Sequence, residues 1–67
     1  MITLTINGRE EQLEREMSIA DFLQQRAINP RIVAVARNGE VVDRGCYATT
    51  LLRANDVIEI VRAVGGG

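Results

Sequence analysis

Ser18-Ile19-Ala20-Asp21-Phe22-Leu23-Gln24-Gln25-Arg26-Ala27-Ile28-Asn29-Pro30 is the stretch with a helical period. Ile19, Phe22, Leu23 and Arg26-Ala27 recur at spacings of three and four, which predicts one amphipathic helix of about three turns. Ser18 supplies a side-chain oxygen for the N-cap, and Asp21 three residues on resembles a capping box. Asn29-Pro30 stops the helix, because proline disfavours α geometry in the residue before it.

On either side the period changes from helical to extended. Upstream, Ile2, Leu4 and Ile6 alternate with Thr3, Thr5 and Asn7, the pattern of a half-buried strand. Asn7-Gly8 is a hairpin signal, since both residues tolerate positive φ. Arg9 to Arg15 then reads as a second strand, and its charge places it at a sheet edge. Downstream, Ile32 to Ala36 is an apolar run expected as a strand, Asn38-Gly39 a second hairpin turn, and Val41-Val42 a short return strand. Residues 44–54 lack a clear period and are expected as a loop with a helical turn near Tyr47 to Leu51. Asn55-Asp56 makes a turn before a last strand over Val57 to Val64. There Ile58, Ile60 and Val64 share one face, and Val57, Glu59, Val61 and Ala63 share the other. The order is β-β-α-β-β-β. A right-handed crossover through one helix places the last strand parallel to the first, in the middle of the sheet. The expected fold is α+β, a ubiquitin-like β-grasp with a mixed sheet of about five strands covered on one face by a single helix. It occupies residues 1–64 and is followed by a glycine tail, 65–67.

The composition narrows the chemistry. A chain of 67 residues makes one domain, and its two aromatics, Phe22 and Tyr47, leave a mostly aliphatic core. All eight basic residues are arginine and the net charge is −1, without the basic patch of a nucleic-acid binder. There is no lysine to form a Schiff base. The absence of histidine removes the usual acid–base and triad arrangements and, with one cysteine, argues against a metal site. A lone Cys46 excludes an internal disulfide and fits a reducing compartment. It lacks a neighbouring base other than Arg44 to activate it, so it reads as a small loop filler. No segment reaches the length of a membrane span, and a cytoplasmic protein is expected, with neither nucleic acid nor membrane as partner. Glu10, Glu11, Glu14 and Glu16 read as a solvated edge.

Gly65-Gly66-Gly67 follows the last strand directly. Three residues without side chains reach roughly 10 Å when extended, which suits a narrow channel that any Cβ would obstruct. The expected reacting group is the main-chain carboxylate of Gly67. A partner can activate it as an acyl adenylate, and a sulfur nucleophile can then convert it to a thiocarboxylate. Val57, Val61 and Ala63 form a modest exposed apolar patch beside the tail, with Arg62 as a charged rim contact; together they are the candidate partner surface.

Asn38 to Val42, Ala48 to Thr50, Asn55-Asp56, Val57 to Val61 and Ala63 to Gly67 together resemble the bacterial thiamine-pathway sulfur carrier proteins. The resemblance covers the whole chain in length and order and is most specific from Val33 onward. Asp43, where the family commonly has proline, and Gly45-Cys46-Tyr47, where a pattern ending in tryptophan is usual, depart from it. The resemblance implies a protein co-substrate rather than an enzyme. Gly67 would carry first the adenylate and then the thiocarboxylate, and Gly65 and Gly66 would thread into partner active sites. It implies three partners: an E1-like adenylyltransferase using ATP, a cysteine desulfurase or other sulfur donor, and thiazole synthase as acceptor. The chain itself would bind no cofactor. Three alternatives share features with it: the small subunit of molybdopterin synthase, a lysine-attached protein modifier, and a non-covalent β-grasp binding module.

Overall fold

The computed structural model describes residues 1–62. The expected end of the last strand at Val64, the boundary between residues 64 and 65, and Ala63, Gly65, Gly66 and Gly67 lie outside the described residues.

Two Asn-Gly turns build the two hairpins. Strand β1 (Ile2–Ile6) pairs antiparallel with β2 (Arg9–Leu13), from Ile2 opposite Leu13 to Ile6 opposite Arg9. Asn7 and Gly8 between them have φ of 52° and 79°, the positive pair that matches the strands' twist. After a two-residue strand β3 (Met17–Ser18) and the helix α1 (Ile19–Gln25), β4 (Val33–Arg37) pairs with β5 (Glu40–Val42). There Asn38 and Gly39 repeat the geometry, with φ of 52° and 86°. A second two-residue strand, β6 (Leu51–Leu52), precedes β7 (Val57–Arg62). The main sheet has the order β2-β1-β7-β4-β5. As expected from the crossover rule, β7 is central. It is parallel to β1, with Thr5 opposite Val57, and antiparallel to β4, with Val35 opposite Ile60. The charged β2 is an edge strand, as its sequence implied.

One sheet face carries Leu4, Ile6, Leu13, Val33, Val35 and Ile58 into the core. The helix contributes Ile19, Phe22 and Leu23. Each such side chain, once fully buried, contributes about 1.5–3 kcal/mol relative to exposure. Arg26 closes one side: its guanidinium lies 4.7 Å from the centroid of the Phe22 ring and donates to Glu11 Oε1 at 2.6 Å. Glu11 therefore turns toward the helix instead of standing in the solvated edge expected for it.

Three expectations need correction. The helix has two turns, not three. It begins as read, with Ser18 Oγ accepting from Asp21 N–H at 3.0 Å. It ends at Arg26, because Ala27 has φ 56° and two reverse bonds close the end: Ala27 N–H to the Gln24 carbonyl, 3.1 Å, and Ile28 N–H to the Leu23 carbonyl, 2.9 Å. That is a Schellman cap built on alanine where glycine is usual, so no glycine marks it in the sequence. Second, Ile32 does not join the strand. It closes a 3₁₀ turn, Pro30–Ile32, that Asn29 caps by accepting from Arg31 N–H at 2.9 Å, and it stays 42% exposed. Third, the helical turn in residues 44–54 is a 3₁₀ turn at Arg44–Cys46, earlier than expected. Leu51-Leu52 instead pairs antiparallel with Met17-Ser18 as a separate two-stranded sheet. The reason lies at the helix N-terminus. Its orphan N–H groups find the Thr50 carbonyl (from Ile19, 2.9 Å) and the Tyr47 carbonyl (from Ala20, 2.9 Å). This docks the segment over the helix and buries Tyr47 and Leu52.

Candidate functional site: the C-terminal end of the central strand

The expected site depends on where β7 delivers the residues that follow it. Turn asparagines hold β7 at its start and again at Ile60. At the start, Asn38 N–H donates to the Val57 carbonyl (2.7 Å), and Asn38 Oδ1 accepts from Val57 N–H (2.8 Å). Farther along, Asn7 Oδ1 accepts from Ile60 N–H at 2.8 Å. Each asparagine thus performs two tasks, allowing the positive φ of its turn and extending the ladder beside β7 by one bond.

Asp56 anchors the entry to the strand. Its carboxylate accepts from Arg53 N–H (2.9 Å), Arg37 Nε (3.0 Å) and Asn38 Nδ2 (3.1 Å), and the residue is buried. Burial by itself raises a carboxyl pKa. Here the main-chain donor of Arg53, the side chains of Arg37 and Asn38, and the positive charge of Arg37 outweigh it and hold Asp56 below the usual carboxylate value. The acidic turn was legible from the sequence as a turn; its role as the hub joining the β4–β5 hairpin to β7 was not.

The candidate partner surface is divided by the sheet. Val57 and Val61 point to the face without a helix and are 50% and 59% exposed. Arg62 does not join them. It shares the helix-side face with Ile58 and Ile60, and it borders a groove with Asn7, Ile28 and Ile60. The period-2 rule already separates residues 61 and 62, so this corrects the grouping of Arg62 with the valines. The uncovered face also contains residues that sequence reasoning passed over. Register places Ala34 beside Val61, and Ala36 beside both Glu59 and Val41, the last of these 77% exposed. The signal was Val41-Val42, adjacent valines that a strand must send to opposite faces. Cys46 is free and exposed. Among the described residues no cluster of His, Cys, Asp or Glu is placed to hold a metal ion, and no helix is long and apolar enough to cross a membrane.

A five-stranded mixed sheet with parallel first and last strands and one helix across it defines the class as a ubiquitin-like β-grasp domain. The sequence matches the model of the ThiS family over residues 3–67, and the chain belongs to that family. The sulfur carrier protein ThiS of Bacillus subtilis (strain 168) is 37% identical over 65 residues, covering 96% of this chain and 98% of its own. A thiazole synthase of Paramagnetospirillum magneticum is 38% identical over 64 residues, and one of Magnetococcus marinus 37% over 62. The present chain spans about a fifth of the length of these two enzymes, with matches covering 20% and 19% of them. The crystal structure of a thiamine biosynthesis protein (ThiS) from Geobacter metallireducens superposes with a TM-score of 0.87. It shares 26% identity and covers 98% of this chain and all of its own.

Proposed function

We propose that this chain is a sulfur carrier of thiamine biosynthesis whose working group is the main-chain carboxylate of Gly67. The observation that carries the reading is the family match, which runs through Gly65-Gly66-Gly67 to residue 67. The clamped central strand supports it, because β7 gives whatever follows Arg62 a rigid base. An E1-like partner transfers AMP from ATP to the carboxylate and releases pyrophosphate. A sulfur nucleophile at the level of hydrosulfide, released from the persulfide of a cysteine desulfurase by a dithiol that is oxidised to its disulfide, or supplied by another donor, attacks the acyl carbon. The new C–S bond forms as the bond to AMP breaks, leaving a thiocarboxylate. Thiazole synthase then takes the sulfur. In this scheme the chain is a co-substrate acting in the cytoplasm: ATP belongs to the activating partner, and so do the catalytic groups. Gly65 and Gly66 thread the partner's channel, while Val57, Val61 and Ala63 supply contact beside it.

Intact-mass spectrometry of the chain incubated with ATP, the activating enzyme and a sulfur donor tests the scheme. The expected product gains one oxygen-for-sulfur exchange, localised to Gly67. One alanine added after Gly67 abolishes it. Unchanged mass in the wild-type chain, or exchange elsewhere, refutes the reading.

A further inference from the structure

β7 outruns the strand beside it. On the side facing β1, Thr5 N–H donates to the Asp56 carbonyl and Asn7 N–H to the Ile58 carbonyl, both at 2.9 Å. A parallel ladder would continue with Ile60 N–H donating to the Asn7 carbonyl. Instead the chain turns away at Asn7-Gly8, and the Asn7 side chain takes that bond. The even-numbered residues of β7 present their main-chain groups to this side. The next two groups, the Ile60 carbonyl and the Arg62 N–H, therefore have no strand opposite them among the described residues. Val61, by contrast, is paired with Ala34 on the other side.

The groove in front of this free edge consists of two adjoining pockets that share Asn7, Ile28 and Ile60 in their lining. Arg9 and Arg62 border it, both exposed, and neither has a carboxylate within salt-bridge distance among the described residues. Arg26, which also lines it, is held by Glu11. An unpaired strand edge is a template for an added strand, and two unmatched arginines select for acidic side chains on it.

We propose that the Ile60–Arg62 edge of β7 receives an extended acidic segment of thiazole synthase, which adds to the sheet and delivers the tail into that enzyme. The proposal rests on the sulfur-carrier reading. Thiazole synthase is the occupant because two thiazole synthases contain a segment similar to this chain within their own length, and because the edge leads directly to the tail that the acceptor must take up.

Amide hydrogen exchange of the ¹⁵N-labelled chain, free and saturated with thiazole synthase, is the test. The Arg62 amide slows about tenfold or more in the complex, as a newly bonded strand amide does. Arg9→Glu weakens binding roughly tenfold at low salt, and the loss shrinks as salt is raised. Arg62→Pro binds about three- to tenfold more weakly than Arg62→Ala, the worth of one hydrogen bond. The domain tolerates this proline because that N–H faces no acceptor among the described residues. Sulfur transfer from the thiocarboxylate is followed on the same wild-type samples. Transfer without Arg62 protection, or protection by the activating enzyme alone, overturns the edge proposal and leaves the carrier reading standing. Failure of the wild-type chain to transfer sulfur at all overturns both.

Discussion

The Asp56 carboxylate gathers three donors from two separate segments while only 7% of the residue is exposed. Removing it leaves the Arg37 guanidinium, the Asn38 amide and the Arg53 N–H without their shared acceptor. Asp56→Ala is expected to destabilise the fold by about 2–3 kcal/mol, the usual cost of stranding buried donors, read from urea unfolding. The pH dependence follows from the lowered pKa. Between the folded value and the ordinary unfolded value near about 3.9, the unfolded chain binds more protons than the folded one. The stabilisation is therefore fully present above the unfolded pKa and is lost as pH falls through the folded pKa. Urea midpoints measured downward from pH 6 will show a steeper acid loss in the wild-type chain than in Asp56→Asn. Sequence reading found Asn55-Asp56 as a turn because turn chemistry is local. Arg37 and Asn38 lie 19 and 18 positions away, a distance no local rule spans.

At the level of the element, the helix shows where periodicity stops being informative. Ser18 and the apolar stripe set its start and its buried face correctly. Its end was misread because Ala27 continues a helical pattern by composition while adopting φ 56°. Left-handed geometry costs an alanine about 1–2 kcal/mol. Glycine removes that cost and returns about 0.4–1 kcal/mol through greater unfolded-state freedom. Ala27 is exposed, so no packing is lost. Ala27→Gly is expected to stabilise the domain by about 0.5–1 kcal/mol, seen as a higher melting temperature of a few degrees. An unchanged or lower value would show that the Schellman cap does not hold in solution. The hairpins were legible because Asn-Gly specifies a two-residue turn almost alone. The β3–β6 pair was not, because two residues are too short to display a period.

For the whole molecule, the sheet separates two surfaces that the linear sequence interleaves. Val41, Ala34, Ala36, Val57 and Val61 lie on the uncovered face, whereas Arg62 and Ile60 lie on the helix side. A charge placed on the uncovered face tests its use. Val61→Glu should leave urea stability within about 0.5 kcal/mol, as exposed substitutions do. It should nevertheless raise the KM of the activating enzyme for this chain several-fold. Wild-type KM for a folded Val61→Glu chain would remove that face from the interface.

Patterning and turn chemistry, which act between near neighbours, were enough to specify two hairpins, one helix and the edge position of the charged strand, and the handedness of the crossover added the central place of the closing strand. The family likeness was legible because it is carried by unbroken local motifs. Packing decided the rest: the alanine-built helix stop, the seating of Tyr47 and Leu52 over the helix, the Asp56 hub, and the second use of Asn7 and Asn38 as extensions of the central ladder. These depend on donors and acceptors that meet only after the chain has closed on itself, when every buried N–H must find a partner.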